Sequence, residues 1–510
     1  MLTLTNVTWL DLCLAGVAVY LVKQVLNKNP APYPPGPRGL PLIGNIQDMP
    51  HIRPWLTFAE WGKKYGPISH VEILGQHIVV LNSVKSAMDM LDKKGTVYSD
   101  RPVLPMGGEL CGWKHNLALL PYGDRLRRYR KSFHHIMGNR AALDVYHPVE
   151  EIETRRFLKR VFAKPEKLQD HVRHTAGAII LRISHGYEAK ENNDPFIDLA
   201  ERAVDQFSRS TAPGAFMVDI MPLLAKVPEW FPGTGFKRLA REWRQTLEEM
   251  VDAPYKFVKD QMDVGIALKS FTSNLLEGRS TLSVEEDHMV KWSAASLYAG
   301  GADTTVSTIY SLFLAMTLFP HVQKKAQAEI DTVVGTDRLP SFADRDSLPY
   351  TAALVKEVLR WNVVAPTAVP HRVTEDDIHD GYYIPKGSLV IPNIWFMLND
   401  PQTFADPSQF NPERFLDNDG KDPEPEPRTI CFGFGRRICP GLHLADASVW
   451  ISTAMSLAVF DVSKVVENGV EITPEVDPTS GTVSHPKPFK CSIKPRSAKA
   501  VALIQQDANY

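Results

Sequence analysis

Ten residues in the last quarter of the chain constrain its fold more than any other stretch. Phe432-Gly433-Phe434-Gly435-Arg436-Arg437-Ile438-Cys439-Pro440-Gly441 runs directly into a helical pattern that begins at Leu442. The glycines allow a tight loop whose backbone amides can turn toward the Cys439 sulfur. The helix start behind it offers unpaired N–H groups and the positive end of a dipole. Two arginines stand two and three residues before the cysteine, and cationic neighbours favour a thiolate over a thiol. A thiolate held in this way is a nucleophile or a metal ligand. A nucleophile needs a base, and His443 lies one helical turn further on. Most free cysteines are small buried hydrophobes, and Cys13, Cys111, Cys431 and Cys491 are read that way.

Outward from this loop the chain is expected to be mainly α with small β-sheets. Glu285 to Leu318 reads as one long helix with Ala299-Gly300-Gly301-Ala302 in its middle. Paired glycines there cost roughly 1 kcal/mol each relative to alanine. A helix that keeps them has a packing or ligand-related reason. Val322 to Val334 and Thr351 to Trp361 read as amphipathic helices. His70 to Leu74 and His77 to Leu81 alternate about Gly75-Gln76, the pattern of a hairpin. A second β region is expected from Ile378 to Trp395, around a Pro385-Lys386-Gly387 turn. Acidic, proline-rich Asp417 to Pro427 reads as a surface loop.

The amino terminus reads differently. Residues 2–22 contain no lysine or arginine, and Leu12 to Val22 is a nearly continuous apolar run, enough for a transmembrane helix. The basic stretch that opens a cleaved signal peptide is missing. Lys23 and Lys28 follow the apolar run, which keeps the bulk of the protein cytoplasmic. Residues 30–37, Pro-Ala-Pro-Tyr-Pro-Pro-Gly-Pro, cannot be helical and form a stiff, extended hinge. Residues 38–510 then make one large domain. With 44% hydrophobic residues and a net charge of −2, disorder is excluded as the dominant state. Lys+Arg 57 against Asp+Glu 59 shows no nucleic-acid signature. Five cysteines are too few for a disulfide scaffold and suit a reducing compartment.

The loop resembles the haem-binding segment of the cytochrome P450 superfamily, F-x-x-G-x-R-x-C-x-G. Phe432, Gly435, Arg437, Cys439 and Gly441 meet every specified position. Gly300-Gly301-Ala302-Asp303-Thr304 is similar to [AG]-G-x-[DE]-T of the family's central helix. Glu357 and Arg360 fit E-x-x-R, and Phe410 to Phe415 fits F-x-P-E-R-F. With the anchor and the hinge, the resemblance covers the whole chain, and its texture is that of microsomal enzymes of filamentous fungi.

The resemblance implies the cytochrome P450 fold, with one large catalytic domain behind an N-terminal membrane anchor, and haem b as cofactor. Cys439 is implied as the iron ligand, and Arg130, Arg372, Arg437 and Phe432 as further haem-binding residues. The arginines would meet the two propionates, for which bidentate guanidinium–carboxylate geometry is suited. Here the chain departs from the family: Leu126 stands where a tryptophan indole would donate to a propionate. Asp303 and Thr304 are implied to manage proton delivery during oxygen activation, and Glu357, Arg360 and Arg414 to brace the core. Substrate-facing segments would include Arg101 to Leu120, Ser210 to Val218, the central helix and Val363 to Val369. Leu104, Met106, Phe216, Val218, Val364 and Val369 make them mostly apolar, whereas Glu109 and Lys114 suit pocket or solvent equally.

The activity implied is a monooxygenase that inserts one atom of O2 into a lipophilic small molecule, in fungal secondary metabolism or xenobiotic oxidation. No glycine-rich nucleotide fingerprint follows a strand, so electrons are expected from a separate NADPH–cytochrome P450 reductase. The expected location is the endoplasmic reticulum membrane, single-pass, with the catalytic domain cytoplasmic and no nucleic acid as partner. A haem-thiolate isomerase or dehydratase needs no Asp303–Thr304 pair, and a haem sensor would show no reductase-supported turnover.

Overall fold

Helices account for most of the chain. In this computed structural model, which describes residues 8, 11, 15, 16, 29–279, 281–417, 420 and 422–507, the longer ones are α1 (Pro54–Tyr65), α2 (Asp124–Met137), α3 (His147–Ala163), α4 (Leu168–His185), α5 (Pro195–Thr211), α6 (Gly235–Asp263), α7 (Val284–Leu318), α8 (Pro320–Val333), α9 (Pro349–Trp361), α10 (Leu442–Val459) and α11 (Ala498–Gln505). Proline opens α1, α5, α8 and α9, where its missing N–H has no intrahelical partner to lose. The expected anchor, residues 2–22, falls outside the described residues except for Thr8, Asp11, Ala15 and Gly16.

The long helix α7 organises the domain. Ser283 caps it, accepting from the Glu286 N–H at 3.3 Å, while the Glu286 carboxylate accepts from the Ser283 N–H at 3.0 Å. At the other end Pro320 stops it, and α8 leaves at 107°. Between these ends α7 is shared by two apolar cores. Its first half packs with α2, α4, α5 and α6 through Trp292, Leu297, Tyr298 and Ala299. Its second half packs with α3, α8, α9 and α10 through Val306, Ile309, Phe313 and Met316. Gly300 to Thr304 lies where the two cores meet.

The strands are short. β1 (Ile68–Ile73) and β2 (Gln76–Leu81) form a hairpin whose turn is Leu74-Gly75, both with positive φ (49° and 86°). The turn thus sits one residue earlier than the sequence suggested, because Gln76 pairs with Ile73. β3 (His371–Arg372), β4 (Asp377–His379), β5 (Tyr382–Ile384) and β6 (Leu389–Pro392) follow α9. The main sheet has the order β1-β2-β6-β3, with β6 parallel to β2. The expected strand to Trp395 ends at Pro392: the Asn393 side chain accepts from the Phe396 N–H at 3.2 Å and starts a short helix at Ile394. β7 (Phe460–Ser463), β8 (Val465–Glu467), β9 (Val470–Ile472) and β10 (Ser492–Pro495) close two further antiparallel pairs, β7–β10 and β8–β9.

Two features tie distant segments to this frame. Residues 30–37 lie against the sheet edge: the Tyr383 N–H donates to the Pro32 carbonyl at 2.8 Å and the His70 N–H to that of Pro35 at 3.0 Å. Tyr33 stacks on His70, with centroids 4.9 Å apart. On α9, Glu357 and Arg360 are fully buried. Arg360 grips Glu357 through Nε (2.7 Å) and Nη2 (2.8 Å), and Arg414 Nε donates to the same carboxylate at 3.2 Å. α10 is apolar enough to span a bilayer, with mean hydropathy 1.3, but 78% of it is buried inside the molecule, which accounts for that character.

Candidate functional site

The Cys439 loop is fixed by backbone geometry. The Cys439 N–H donates to the Phe432 carbonyl at 2.9 Å, closing the loop on itself. Gly435 takes φ +56°, and a Cβ there would meet the Leu91 carbonyl oxygen at 2.3 Å, so no other residue fits. The sulfur sits three residues before α10, and the Gly441 amide N–H points at it. Burial pushes the Cys439 thiol up; the Gly441 N–H and the Arg130 guanidinium oppose this. The cation acting on the sulfur therefore comes from α2, not from the two arginines shortly before it in sequence. Arg437 turns away, donating to the Ser99 carbonyl at 2.7 Å and to that of Leu120 at 2.6 Å, and Arg436 donates to the Tyr122 hydroxyl. No hydrogen bond joins His443 to Cys439 among the described residues, so the acid–base partner of a nucleophile is missing and a metal ligand remains.

Beside the loop is a cluster of arginines that make no ion pair among the described residues, although Arg101 and Arg437 feel the charge of Asp100. Arg130 donates from Nη1 to the Ile438 carbonyl at 2.8 Å. Buried Arg101 donates to the carbonyls of Ala118, Val369 and Pro370. Arg437 leaves Nη1 buried with no hydrogen-bond partner, and burial brings its guanidinium down to about 10. No acidic side chain among the described residues lies within ion-pair distance of these three arginines. His371 completes the group: its Nδ1–H donates to the Tyr98 carbonyl at 2.7 Å, and burial, then Arg101 and Arg437, push it far below the ordinary histidine range. An orphaned guanidinium N–H among three arginines, with Asp100 as the one carboxylate acting on them, fits the carboxylates of a haem.

Arg372 is not in this cluster. In the two-residue strand β3 its side chain points opposite to that of His371, is 42% exposed and lies 3.8 Å from Asp100. Arg101 and His371 are the residues found there that the sequence reading passed over. The signal available was the Pro370-His371-Arg372 string itself, which leaves open which of two neighbours faces inward. Leu126 is buried in the apolar cluster of α2 and donates nothing. Phe432 is partly buried and contributes its carbonyl to the loop closure.

On α7 the paired glycines have separate reasons. A Cβ at Gly301 would come within 2.7 Å of Ile180, so this glycine allows α4 to approach closely. A Cβ at Gly300 would meet nothing within 4 Å, and Gly300 is exposed although Tyr298 and Ala299 before it are buried. An open space thus adjoins the helix at this point. The Thr304 hydroxyl lies beside it, donating to the Gly300 carbonyl at 2.8 Å, and Asp303 is paired with His485 at 2.9 Å.

Apolar side chains from several segments gather in one cluster with Ala302: Leu104, Met106, Phe207, Phe216, Val218 and Val369. The Met106 N–H donates to the Asp219 carboxylate at 2.8 Å, tying two of these segments together, and burial pushes Asp219 up to about 6. Glu109 and Lys114 pair with each other at 2.8 Å on the surface.

A thiol on a rigid loop, a cluster of arginines beside it and a helix opened by glycine define a haem-thiolate protein. The chain belongs to the cytochrome P450 family: a model of that family, "Cytochrome P450", matches residues 34–493. It is 55% identical over 473 residues to cytochrome P450 monooxygenase 208 of Postia placenta, covering 93% of this chain and 92% of that one. It is 50% identical over 502 residues to the cytochrome P450 monooxygenase claR of Ampulloclitocybe clavipes (98% and 93%), and 43% identical over 504 residues to ppsD of Aspergillus oryzae (97% and 95%). The protein is therefore a haem-thiolate monooxygenase whose cofactor is haem b, and O2 and a redox partner belong to its reaction.

Proposed function

We propose that this monooxygenase inserts one atom of O2 into a lipophilic small molecule, in fungal secondary metabolism or xenobiotic oxidation. Its electrons come from NADPH through a separate cytochrome P450 reductase. The observation that carries this reading is the open space at Gly300, beside the Thr304 hydroxyl, on a helix whose Ala302 belongs to the same apolar cluster as Met106, Phe216 and Val369. Cys439 would hold the iron, and Arg101, Arg130 and Arg437 the propionates. When bound, thiolate-ligated haem supplies the activation of oxygen and its transfer. The chain supplies the rest. Met106, Phe216 and Val369 hold an apolar substrate and exclude water. The Thr304 hydroxyl, turned from the Gly300 carbonyl toward the open space, orders a proton donor there, and the Asp303 carboxylate brings protons to it.

The exposed face of α2 supports an acidic redox partner. Leu126, Tyr129 and Phe133 point inward, while Arg127, Arg128 and Lys131 point out, on the helix whose Arg130 touches the Cys439 loop.

Thr304→Ala tests the reading, because the hydroxyl touches no haem-anchoring group. Haem content is expected to stay near the wild-type level, while product formed per NADPH falls roughly 10- to 100-fold and peroxide appears instead. Unaltered coupling in this variant would remove Thr304 from proton delivery.

Membrane attachment through residues 2–22, single-pass in the endoplasmic reticulum with the domain cytoplasmic, completes the proposal. Exposed Trp230 (81%) and Leu223 (71%) support a second apolar contact with lipid. Removing residues 1–29 spares the Pro32 and Pro35 contacts with the sheet. The shortened protein should bind haem fully and no longer sediment with membranes. Full retention on membranes would assign the attachment to the Leu223–Trp230 face instead.

A further inference from the structure

Asp303 is held from a direction that the proton-delivering pair alone does not explain. His485 Nε2 lies 2.9 Å from Asp303 Oδ2, and both side chains are largely buried. A carboxylate oxygen can only accept, so Nε2 carries the hydrogen and donates. Nδ1 is buried without a hydrogen-bond partner, which suits a bare lone pair far better than an N–H. The imidazole is thus a directed donor with one available acceptor. Glu201 of α5, the neighbouring carboxylate that feels Asp303, is itself paired with Arg173 of α4 at 2.6 Å.

The backbone around His485 is tied down on every side. Thr482 Oγ1 and Thr211 Oγ1 of α5 lie 2.8 Å apart. The Val483 N–H donates to Ser208 Oγ at 3.1 Å, and the Ser484 N–H to the Val364 carbonyl at 2.8 Å. From α7, the Ser307 hydroxyl donates to the Ser484 carbonyl at 2.6 Å, and the His485 N–H itself donates to Thr479 Oγ1 at 3.0 Å. Three elements around the proposed substrate space therefore fix this one loop, between β9 and β10. The imidazole thus stands on a braced backbone, and its one side-chain hydrogen bond goes to the Asp303 carboxylate.

We infer that His485 is a positioning residue, which sets where the Asp303 carboxylate stands relative to Thr304 and the open space at Gly300. The inference rests on the reading of Asp303 and Thr304 as the proton-delivering pair. Because the loop is bonded to Ser208, Thr211 and Val364, it also links the orientation of the carboxylate to the segments that hold substrate.

The test uses the full-length, haem-loaded protein with NADPH–cytochrome P450 reductase in phospholipid vesicles, with no organic substrate added. The variants are Asp303→Asn, His485→Leu, His485→Gln and the Asp303→Asn/His485→Leu double. Two quantities are read: the rate of NADPH oxidation, and the infrared C–O stretch of the reduced protein with carbon monoxide, which senses polar groups around the open space without turnover. Both Asp303→Asn and His485→Leu are expected to slow NADPH oxidation roughly 10- to 100-fold. His485→Leu should also move or split the C–O band. His485→Gln, whose side-chain amide can still donate to Oδ2, should restore most of the rate and the original band. In the Asp303→Asn background His485→Leu should add nothing, since it acts through that carboxylate.

A slow Asp303→Asn beside a His485→Leu with wild-type rate and band would overturn the positioning role alone. Equal losses from His485→Leu in both backgrounds would do the same, because they would mark a brace for the loop. Asp303→Asn at the wild-type rate would overturn the proton-pair reading and the inference with it.

Discussion

Arg360→Ala is expected to yield no folded, haem-binding protein. Arg360 is fully buried, and its guanidinium makes five hydrogen bonds: two to Glu357, one to the Leu398 carbonyl at 3.0 Å, one to that of Pro407 at 2.9 Å and one to that of Gln409 at 3.3 Å. Without it, Glu357 keeps a single buried guanidinium, Arg414, which is also bound to Glu424 at 2.7 Å. Breaking a buried pair from one side costs about 3–5 kcal/mol. The total stability of a domain is about 5–15 kcal/mol. The carbonyls of Leu398 and Pro407 would in addition lose their donor, loosening the approach to the Phe410–Phe415 segment. Arg360→Lys should do little better, because one ammonium cannot reach two carboxylate oxygens and two carbonyls in a plane. Haem content and thermal unfolding of the purified variants check this. An Arg360→Ala protein with full haem and a Tm within a few degrees of wild type would contradict the bracing role.

The network illustrates what was legible in the sequence. Glu357 and Arg360 are one helical turn apart on an amphipathic pattern, so their pairing follows from local periodicity. The Cys439 loop and the glycines of α7 were legible for the same reason, since backbone freedom and charge act over a few residues. Burial of the pair, and its third member Arg414, depended on the family resemblance.

What was not legible depends on pairing between segments far apart in the chain. Arg372 could be assigned to the haem only if its side chain faced inward, but β3 exists because His371 pairs with Val390 and the Arg372 N–H donates to the Asp100 carbonyl at 2.9 Å. That register turns His371 in and Arg372 out. Arg101, His485 and the docking of residues 30–37 on the sheet likewise arise from contacts that no window of sequence contains. The cation beside the sulfur is a further case. Arg436 and Arg437 lie within three residues of Cys439 in sequence, yet Tyr122, Ser99 and Leu120 claim their donors, and Arg130 acts on the thiol instead.

Cys439→Ser carries the largest expected effect on the site. A serine hydroxyl is not deprotonated where a thiol of ordinary pKa ~8.5 can be, so thiolate ligation should vanish outright. The loop itself should survive, because its closure rests on the Cys439 N–H, the Phe432 carbonyl and the glycines, none of which changes. Cys431, eight residues earlier, is the control. Burial pushes its thiol up, and it packs at the edge of the Phe434–Ile430 cluster.

The most direct measurement is the Soret band of the reduced protein with carbon monoxide. Wild type and Cys431→Ser should both show the red-shifted band of a thiolate-ligated haem, and Cys439→Ser should lack it altogether. A Cys439→Ser protein that keeps the red-shifted band, or a Cys431→Ser protein that retains haem but loses it, would contradict the assignment of Cys439 as the iron ligand.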